Sequence, residues 1–455
     1  MSSVSQYIEI FDGNKDLLEK NSAQFLNSFR NHAAETLKTS GLPKKGDEGY
    51  EKTSIDEMFA PDFGINIARI NIPVNLAATF RCDVPNLSTW LGVTINDDFH
   101  PVGNLEAKLP KGILFMSFKE AEKNYPQLLD KYGTVADIND PKVAINSMLV
   151  QDGVLIYIPK GVHLEKPLQL VNIFSSPTPL LAARRLLIIA EDDSKMDLLV
   201  CDHTQDNEHR YLSSEVVEII MGKNANVNYY CIEESSQLTS RTSSLYAHQD
   251  DGSRLETVSV TLSCGVTRND FDITIDGHHC DTRLNGMAIG SGKQHIDNAS
   301  LVKHIGESCR SNQIFKYVLD DDATGAFEGM IRVDEKARFI EAYQSNKNIL
   351  ADPGARMHSK PQLLIYCDDV KCSHGATTGQ LSQEALFYMR SRGIPEKVAK
   401  TMLMEAFMAD VIAGVGLDTL RDRLRHLVEK RFHGVESFCG TCSLTTSGEG
   451  KPNRN

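Results

Sequence analysis

Apolar residues recur along this chain in three rhythms, and each rhythm marks a region. Over the first ~40 residues, Leu17, Leu18, Phe25, Leu26 and Phe29 recur at helical spacing. Gly41-Leu42-Pro43 stops that pattern, and the polar run KKGDEGYEKTS (44–54) follows as a linker. Residues 1–54 therefore read as an N-terminal helical region with its linker. Residues 55–150 are mixed α/β and lead into the core. There, the short apolar runs INIARINIPV and GILFMSF stand beside one helical piece, SFKEAEKNYPQLLDKY, with Ser117 as a candidate cap.

From 151 to 375 the rhythm is that of strands. VLIYIP, RRLLIIA, DLLVCD, EVVEIIM, NVNYYCI, ETVSVTL, DITID, RLNGMAI, QIFKYVL, GMIRV and QLLIYC follow one another, bounded by Asp, Asn, Gly or Ser. Polar turn centres fall near Asp192, Asn224, Asp251, Asp276, Asn298 and Asp321. Those intervals are too wide for the roughly 8–12-residue rhythm of a sandwich and suit the coils of a β-solenoid. One coil cannot bury its inward face alone, so stacked coils share a continuous core. Alternation then turns Val216, Ile219, Met221, Val227, Tyr229 and Cys231 inward. The predicted fold class is mainly β: a β-solenoid core with helical regions at both ends. A two-sheet sandwich is the alternative.

Helix returns from 376 to 435. LSQEALFYMRSRG has Ser382 as N-cap, Glu384 in its first turn and Gly393 as its stop. Pro395 opens a second helix, EKVAKTMLMEAFMADVIAGV. In a third, Leu417, Leu420, Leu424, Leu427, Val428 and Phe432 form one stripe, with Arg421, Arg423 and Arg425 outside it. The Met-rich faces (Met389, Met402, Met404, Met408) read as a self-contained bundle or as a docking surface, with core packing taking most of these residues. The Gly/Ser/Thr-rich stretch 436–455 reads as a disordered tail.

Composition narrows the function. A formal net charge of −13 argues against nucleic acid as a partner. Aromatics at 7% with a single Trp, Trp90, argue against a groove that stacks sugars or bases. The first residues hold no basic stretch leading into an apolar one, so no signal peptide is expected. The nearest approach to an apolar span, LLAARRLLIIA, is split by Arg184 and Arg185, so no membrane partner is expected. Ten scattered Cys then read as reduced thiols of a cytoplasmic protein.

The strongest local constellation is DDVKCSHGATTGQL (368–381). Cys372 and His374 are two apart and share a face if the segment is extended. A thiol beside an imidazole can share a soft metal or an iron–sulfur fragment, or become an activated thiolate. Gly375 and Gly379 admit another backbone. The plainer reading is a turn that leaves the solenoid and enters the helices.

Other motifs are weaker. DGHHCD (276–281) puts His278 and Cys280 on one strand face and His279 on the other. Two ligands do not complete a tetrahedral site, so solvated strand residues are expected. GSGK (290–293) has Met287 and Gln294 where a phosphate loop needs Gly and Ser or Thr. Cys439 and Cys442 form a C-x-x-C after His433, read as a spare thiol pair on the tail. Asp320–Asp322 and Asp368–Asp369 look like coil turns.

DDVKCSHGATTGQL followed by ALFYMRSRGIPEKVAKTMLMEAF resembles the C-terminal signature of the SufB/SufD family, which takes part in building iron–sulfur clusters. The likeness runs from YQSNKNILADPGARMHSKPQLLIYCDD (343–369) through AFMADVI (406–412). GLPKKGDEGYEKTS (41–54) is similar to an N-terminal stretch of the family, with Tyr50 where Trp is usual. Ser373 and Gly375 flank His374 where SufB-like chains carry acidic residues. Ser345 stands in YQSNKN, a strand that carries a cluster-building Cys in those chains. The SufD branch therefore fits better.

The resemblance implies a right-handed parallel β-helix and a heterodimer with a SufB-like scaffold, formed through the core. It implies that His374 lies at that interface and helps build or bind the nascent cluster, with Cys372 as a second group. Both are then candidate metal ligands, and no catalytic residue is implied. It implies that the C-terminal helices, with Phe387, Arg392 and Phe407, dock a SufC-like ATPase, which accounts for the missing phosphate loop. A transient iron–sulfur cluster shared with SufB, a flavin at the level of the whole complex, and a homodimer of the isolated chain are all compatible with it. On this reading the chain is a non-catalytic assembly subunit.

Two readings compete. One is a β-helix enzyme acting on polysaccharide through Asp-rich turns. The other is a hydrolase or transferase using Cys372 and His374, which requires a thiol of lowered pKa.

Overall fold

The computed structural model of the chain describes residues 3–72 and 88–433. The tail expected over 436–455, with Cys439 and Cys442, lies outside the described residues.

Helices Ser3–Lys20 and Asn27–Ser40 form the N-terminal layer, and Gly41 ends the second with a left-handed φ of 67°. The helical piece expected after Ser117 is broken. Ser117 caps a helix over Phe118–Asn124, its hydroxyl accepting from the Glu120 N–H, and a 3-10 turn over Pro126–Lys131 follows. Pro126 is the reason, because it lacks the N–H that would continue the ladder. A further helix, Pro141–Leu149, is buried along its length. The buried Arg30 guanidinium closes its C-terminal end, donating at 2.7 Å to the carbonyls of Met148 and Val150.

The strands run in chain order. The first four are β1 (Trp90–Ile95), β2 (Asp98–Pro101), β3 (Leu114–Ser117) and β4 (Val154–Ile158). Next come β5 (Leu168–Phe174), β6 (Leu180–Ala190), β7 (Lys195–Thr204), β8 (Tyr211–Met221) and β9 (Asn226–Glu234). Then follow β10 (Thr239–Gln249), β11 (Arg254–Ser263), β12 (Val266–Ile275), β13 (Asp281–Gly290) and β14 (His295–His304). The last are β15 (Arg310–Leu319), β16 (Thr324–Val333), β17 (Ile340–Leu350), β18 (Arg356–Ile365) and β19 (Val370–Gly379).

From β4 onward the even strands build one sheet and the odd strands the other, and every neighbouring pair is parallel. The chain thus winds as a β-solenoid, crossing from sheet to sheet at each corner. Inward side chains stack in columns. Ile188, Ile219, Ala247, Ile273, Val302 and Ile331 are successive register partners, all buried in the central core.

At the corners leading from the even to the odd sheet, Gly161, Asp193, Asn224, Gly252, His279, Ser308 and Phe339 all have φ between 55° and 70°. Each of these seven corners therefore spends one left-handed residue at the same place. These residues also tie the coils together. The N–H of Asn224 donates to the Asp251 carbonyl at 2.7 Å, and that of Ser308 to the Arg338 carbonyl at 2.8 Å.

Three expectations within the solenoid are corrected. Val216 faces outward, packing on Val143 and Tyr246, while Val217 joins the core with Ile219 and Met221. A strand alternates strictly, so Val216 cannot share a face with Ile219. Asn298 is a buried residue inside β14, not a turn centre, and its amide donates to the Tyr317 hydroxyl at 2.5 Å. DGHHCD is a corner rather than a strand, because His279 takes φ 58° and β13 begins only at Asp281.

The solenoid's outer faces are covered differently. The N-terminal helices and the Pro141–Leu149 helix pack over Leu181, Leu187 and Ile189 of the even sheet. Helices Gln383–Ser391, Glu396–Ala413 and Asp418–Phe432 pack over Leu199, Tyr230, Val260 and Ile289 of the odd sheet. They share a core with that sheet instead of forming a self-contained bundle. Met404 and Met408 are buried there, whereas Met402 is exposed.

The polar segment 44–54 lies along the even sheet as a strap. Thr53 donates to Asp297, Glu51 pairs with Lys360 at 2.7 Å, and the Lys142 ammonium lies 5.0 Å from the Tyr50 ring. Inside the solenoid, Arg184, Asp202, Glu215, Glu233 and Arg241 form a buried ion network, with Arg241 meeting Glu215 at 2.7 Å and Glu233 at 3.0 Å.

Candidate functional site

The two ends of the solenoid differ. At the first, antiparallel strands β2 and β3 close the sheets. At the other, β18 and β19 end their sheets, and no further strand pairs with either among the described residues. A solenoid end without a cap leaves backbone N–H and C=O groups along its edge.

The 368–381 motif forms that edge. Asp368 and Asp369 make the turn, and VKCSHGATTG is β19. In register, Cys372 lies beside Ala342 and His374 beside Gln344 of β17. Cys372 is half-buried against the end of the core, and His374 is exposed. Burial pushes the Cys372 thiol above its ordinary value. This runs against an activated nucleophile, which needs a lowered thiol pKa. A Cβ added to Gly375 or Gly379 would meet nothing within 4 Å, so the space beside them is open.

The coil directly beneath that edge is polar inside. Gln344, Asn346 and Asn348 of β17 are buried, and Asn348 donates to the Thr377 carbonyl at 3.2 Å and to the Thr378 hydroxyl at 3.1 Å. These amides let the coil end near water without baring an aliphatic core. Its rim is apolar: Phe339, Tyr343, Leu364, Ile365 and Tyr366 are 40–63% exposed. A hydrophobic rim beside an unpaired strand edge is the composition of an interaction surface. Sequence reading found Cys372 and His374 but missed the rim, because LLIY reads equally well as a buried strand. The signal available was the run of consecutive apolar residues without alternation.

Among the described residues, no group of three or more His, Cys, Asp or Glu is arranged to hold a metal ion. Cys372 and His374 supply two donors, so a metal held there takes its remaining ligands from outside this chain.

The C-terminal helices carry a second exposed patch. Ser382 caps the first, its hydroxyl accepting from the Ala385 N–H. Phe387 is 75% and Tyr388 60% exposed, and the Arg392 guanidinium stacks 5.1 Å from the Tyr388 ring. Val398 and Met402 are exposed one turn apart on the next helix. Phe407 points the other way. The Lys316 ammonium lies 4.5 Å from its ring and donates to its carbonyl at 2.7 Å, which anchors the helix to β15.

No helix among the described residues is long and apolar enough to cross a membrane. Comparison with known proteins accounts for nearly the whole chain. A family model described as the SufBD core domain of the SUF system for FeS cluster assembly matches residues 173–407, and one for the SufBD protein N-terminal region matches 1–170. An iron–sulfur cluster assembly SufBD family protein of Synechocystis is 28% identical, covering 88% of this chain and 90% of that protein. The iron–sulfur cluster assembly protein SufD of Bacillus subtilis is 26% identical, covering 70% of this chain and 74% of that one. SufD of Escherichia coli is 28% identical over 50% of this chain and 54% of its own length. With both family regions matched on a solenoid whose open end carries Cys372 and His374, the chain belongs to the SufBD family of iron–sulfur cluster assembly proteins.

Proposed function

We propose that this chain is a SufD-like, non-catalytic subunit that pairs through its open solenoid end with a SufB-like scaffold. The observation that carries the reading is the placement of two soft-metal donors on an edge strand that the chain leaves uncovered. Pairing there would bury the apolar rim and bring the partner's ligands to His374 and Cys372. The nascent iron–sulfur cluster is cargo at this junction. The exposed patch around Phe387, Tyr388 and Arg392 would receive a SufC-like ATPase, whose cycle shifts the pair.

The test is co-expression with the SufB-like and SufC-like chains of the same organism and purification without oxygen. The expected result is a complex containing all three chains, with iron and sulfide. Recovery of this chain alone, without iron, would overturn the proposal.

A further inference from the structure

Cys280 and Cys309 stand at the same corner in successive coils, each directly after a left-handed residue, His279 and Ser308. The next residues, Asp281 and Arg310, are register partners, and the Arg310 N–H donates to the Cys280 carbonyl at 2.8 Å. Strands one coil apart run about 4.8 Å from each other. That lies within the roughly 4.4–6.8 Å that Cα atoms span in a disulfide.

The two cysteines meet in this geometry. The Cys280 N–H donates to Cys309 Sγ at 3.4 Å, and the Cys309 thiol lies within donating distance of the Gly277 and Glu307 carbonyls at 3.2 and 3.3 Å. Glycine sets the closeness: a Cβ on Gly306 would sit 2.0 Å from the Gly277 carbonyl oxygen. Ser253 fills the equivalent corner one coil earlier, and its hydroxyl donates to Cys280 Sγ at 3.6 Å. Both thiols are buried, but the turns over them carry exposed His278 and His279.

The surroundings separate Cys280 from the other buried cysteines, whereas its neighbour Cys309 is pushed up by its interaction with Cys280 and by burial. Hydrogen bonds from Cys309, Ser253 and the backbone bring Cys280 down to about 7. Burial pushes Cys264 up to about 12, and it raises Cys231 as well.

We propose that Cys280 and Cys309 form an oxidation-sensitive dithiol, which hydrogen peroxide converts into a disulfide stapling two successive coils. The Cys280 thiolate attacks one peroxide oxygen, the O–O bond breaks, and the departing hydroxide takes a proton to become water. Cys280 is then a sulfenic acid. The Cys309 sulfur attacks it as its own proton leaves; the S–S bond forms, the S–O bond breaks, and the departing hydroxide takes that proton to become a second water. Two thiols have lost two electrons to one peroxide. The staple joins β13 to β15, leaves Cys372 and His374 untouched, and is independent of the assembly role proposed above.

The test treats the reduced full chain with stoichiometric hydrogen peroxide at neutral pH, alkylates it, and maps peptides by mass spectrometry without reduction. A cross-linked Cys280–Cys309 peptide that dithiothreitol releases is expected. In the untreated protein Cys280 should alkylate at least about tenfold faster than Cys264. Cys309→Ser should trap Cys280 as a sulfenic acid that dimedone labels, and Ser253 at the equivalent corner indicates that serine fits. If Cys280 and Cys309 stay reduced while Cys367 or Cys372 oxidises, or if Cys280 over-oxidises without a cross-link, the proposal fails.

Discussion

The Arg268 guanidinium lies 4.8 Å from the ring of Tyr50, so the polar strap near the N-terminus is locked onto the middle of the solenoid. Arg268 also holds Asp270 at 2.8 Å and Asp297 at 2.7 Å, and Lys142 donates to the Tyr50 hydroxyl. Burial pushes the Tyr50 phenol up to about 12, so it stays a neutral acceptor for Lys142. Tyr50→Ala removes the ring from between two cations and should cost about 2–3 kcal/mol. Tyr50→Trp, which keeps an aromatic face, should cost less than about 1 kcal/mol. Urea melts of the two variants check this; equal melts would show that the strap adds nothing.

His374→Ala should leave stability within about 0.5 kcal/mol, because the side chain is exposed and the change touches no packed group. Cluster build-up in the co-purified complex should fall. The measurement is thermal melting beside iron and sulfide content. An undiminished cluster yield would remove the role given to His374.

Phe387→Ala should likewise leave the melting temperature unchanged, since the ring is 75% exposed. Affinity for the SufC-like ATPase should drop by about tenfold or more, as expected for an aromatic anchor. Titration calorimetry reads both the loss and its absence. Phe407→Ala should show the opposite profile, losing stability because that ring holds the helix to Lys316.

The interior network should not tolerate loss of its cation. Arg241 meets Glu215, Glu233 and Asp202, and all four are buried. Arg241→Met leaves carboxylates without their partner and should cost about 3–5 kcal/mol. Adding Glu233→Gln should recover part of that, because burial already raises Glu233 to about 7. Denaturant melts of the single and double variants measure the coupling.

Acid should act through His304. Burial lowers it from 6.5 to about 4, and the Ser311 hydroxyl is its neutral partner at 2.8 Å. The folded pKa is depressed, so as pH falls below 6.5 the unfolded chain takes up a proton that the folded chain refuses until about 4. Stability relative to a His304→Gln variant should therefore be full near neutrality and decline across that window, by up to about 3 kcal/mol. Parallel melts of the two proteins over that range test it. A constant difference would mean that His304 protonates in the folded state.

How legible the fold was depended on where its polar residues point. β8 and β13 announce themselves through EVVEIIM and RLNGMAI. β10 and β14 escape the pattern, and β17 is legible only through the family resemblance, because their inward faces carry Arg241, Asn298, Ser300, Gln344 and Asn346, residues that a sequence reading assigns to turns. Such residues are buried because neighbouring coils supply their partners, as when Asn298 pairs with Asn269 at 2.9 Å. Those pairings connect residues one coil apart and leave no local trace. The strap failed for the same reason, since Tyr50, Glu51 and Thr53 meet partners in β12, β14 and β18. Cys372 and His374 were legible through their spacing and their flanking glycines. The openness around them was not, because a strand's sequence does not record that it is the last.

The left-handed corners make the coil a unit of length. Gly161, Asp193, Asn224, Gly252, His279, Ser308 and Phe339 are equivalent joints, and each turns the chain from the even sheet to the odd sheet. A segment excised between two such joints removes one whole floor and lets the floors above and below meet in unchanged register. This scaffold can therefore grow or shorten by integral steps while its closed base and its open top keep their chemistry. What changes is the distance between them.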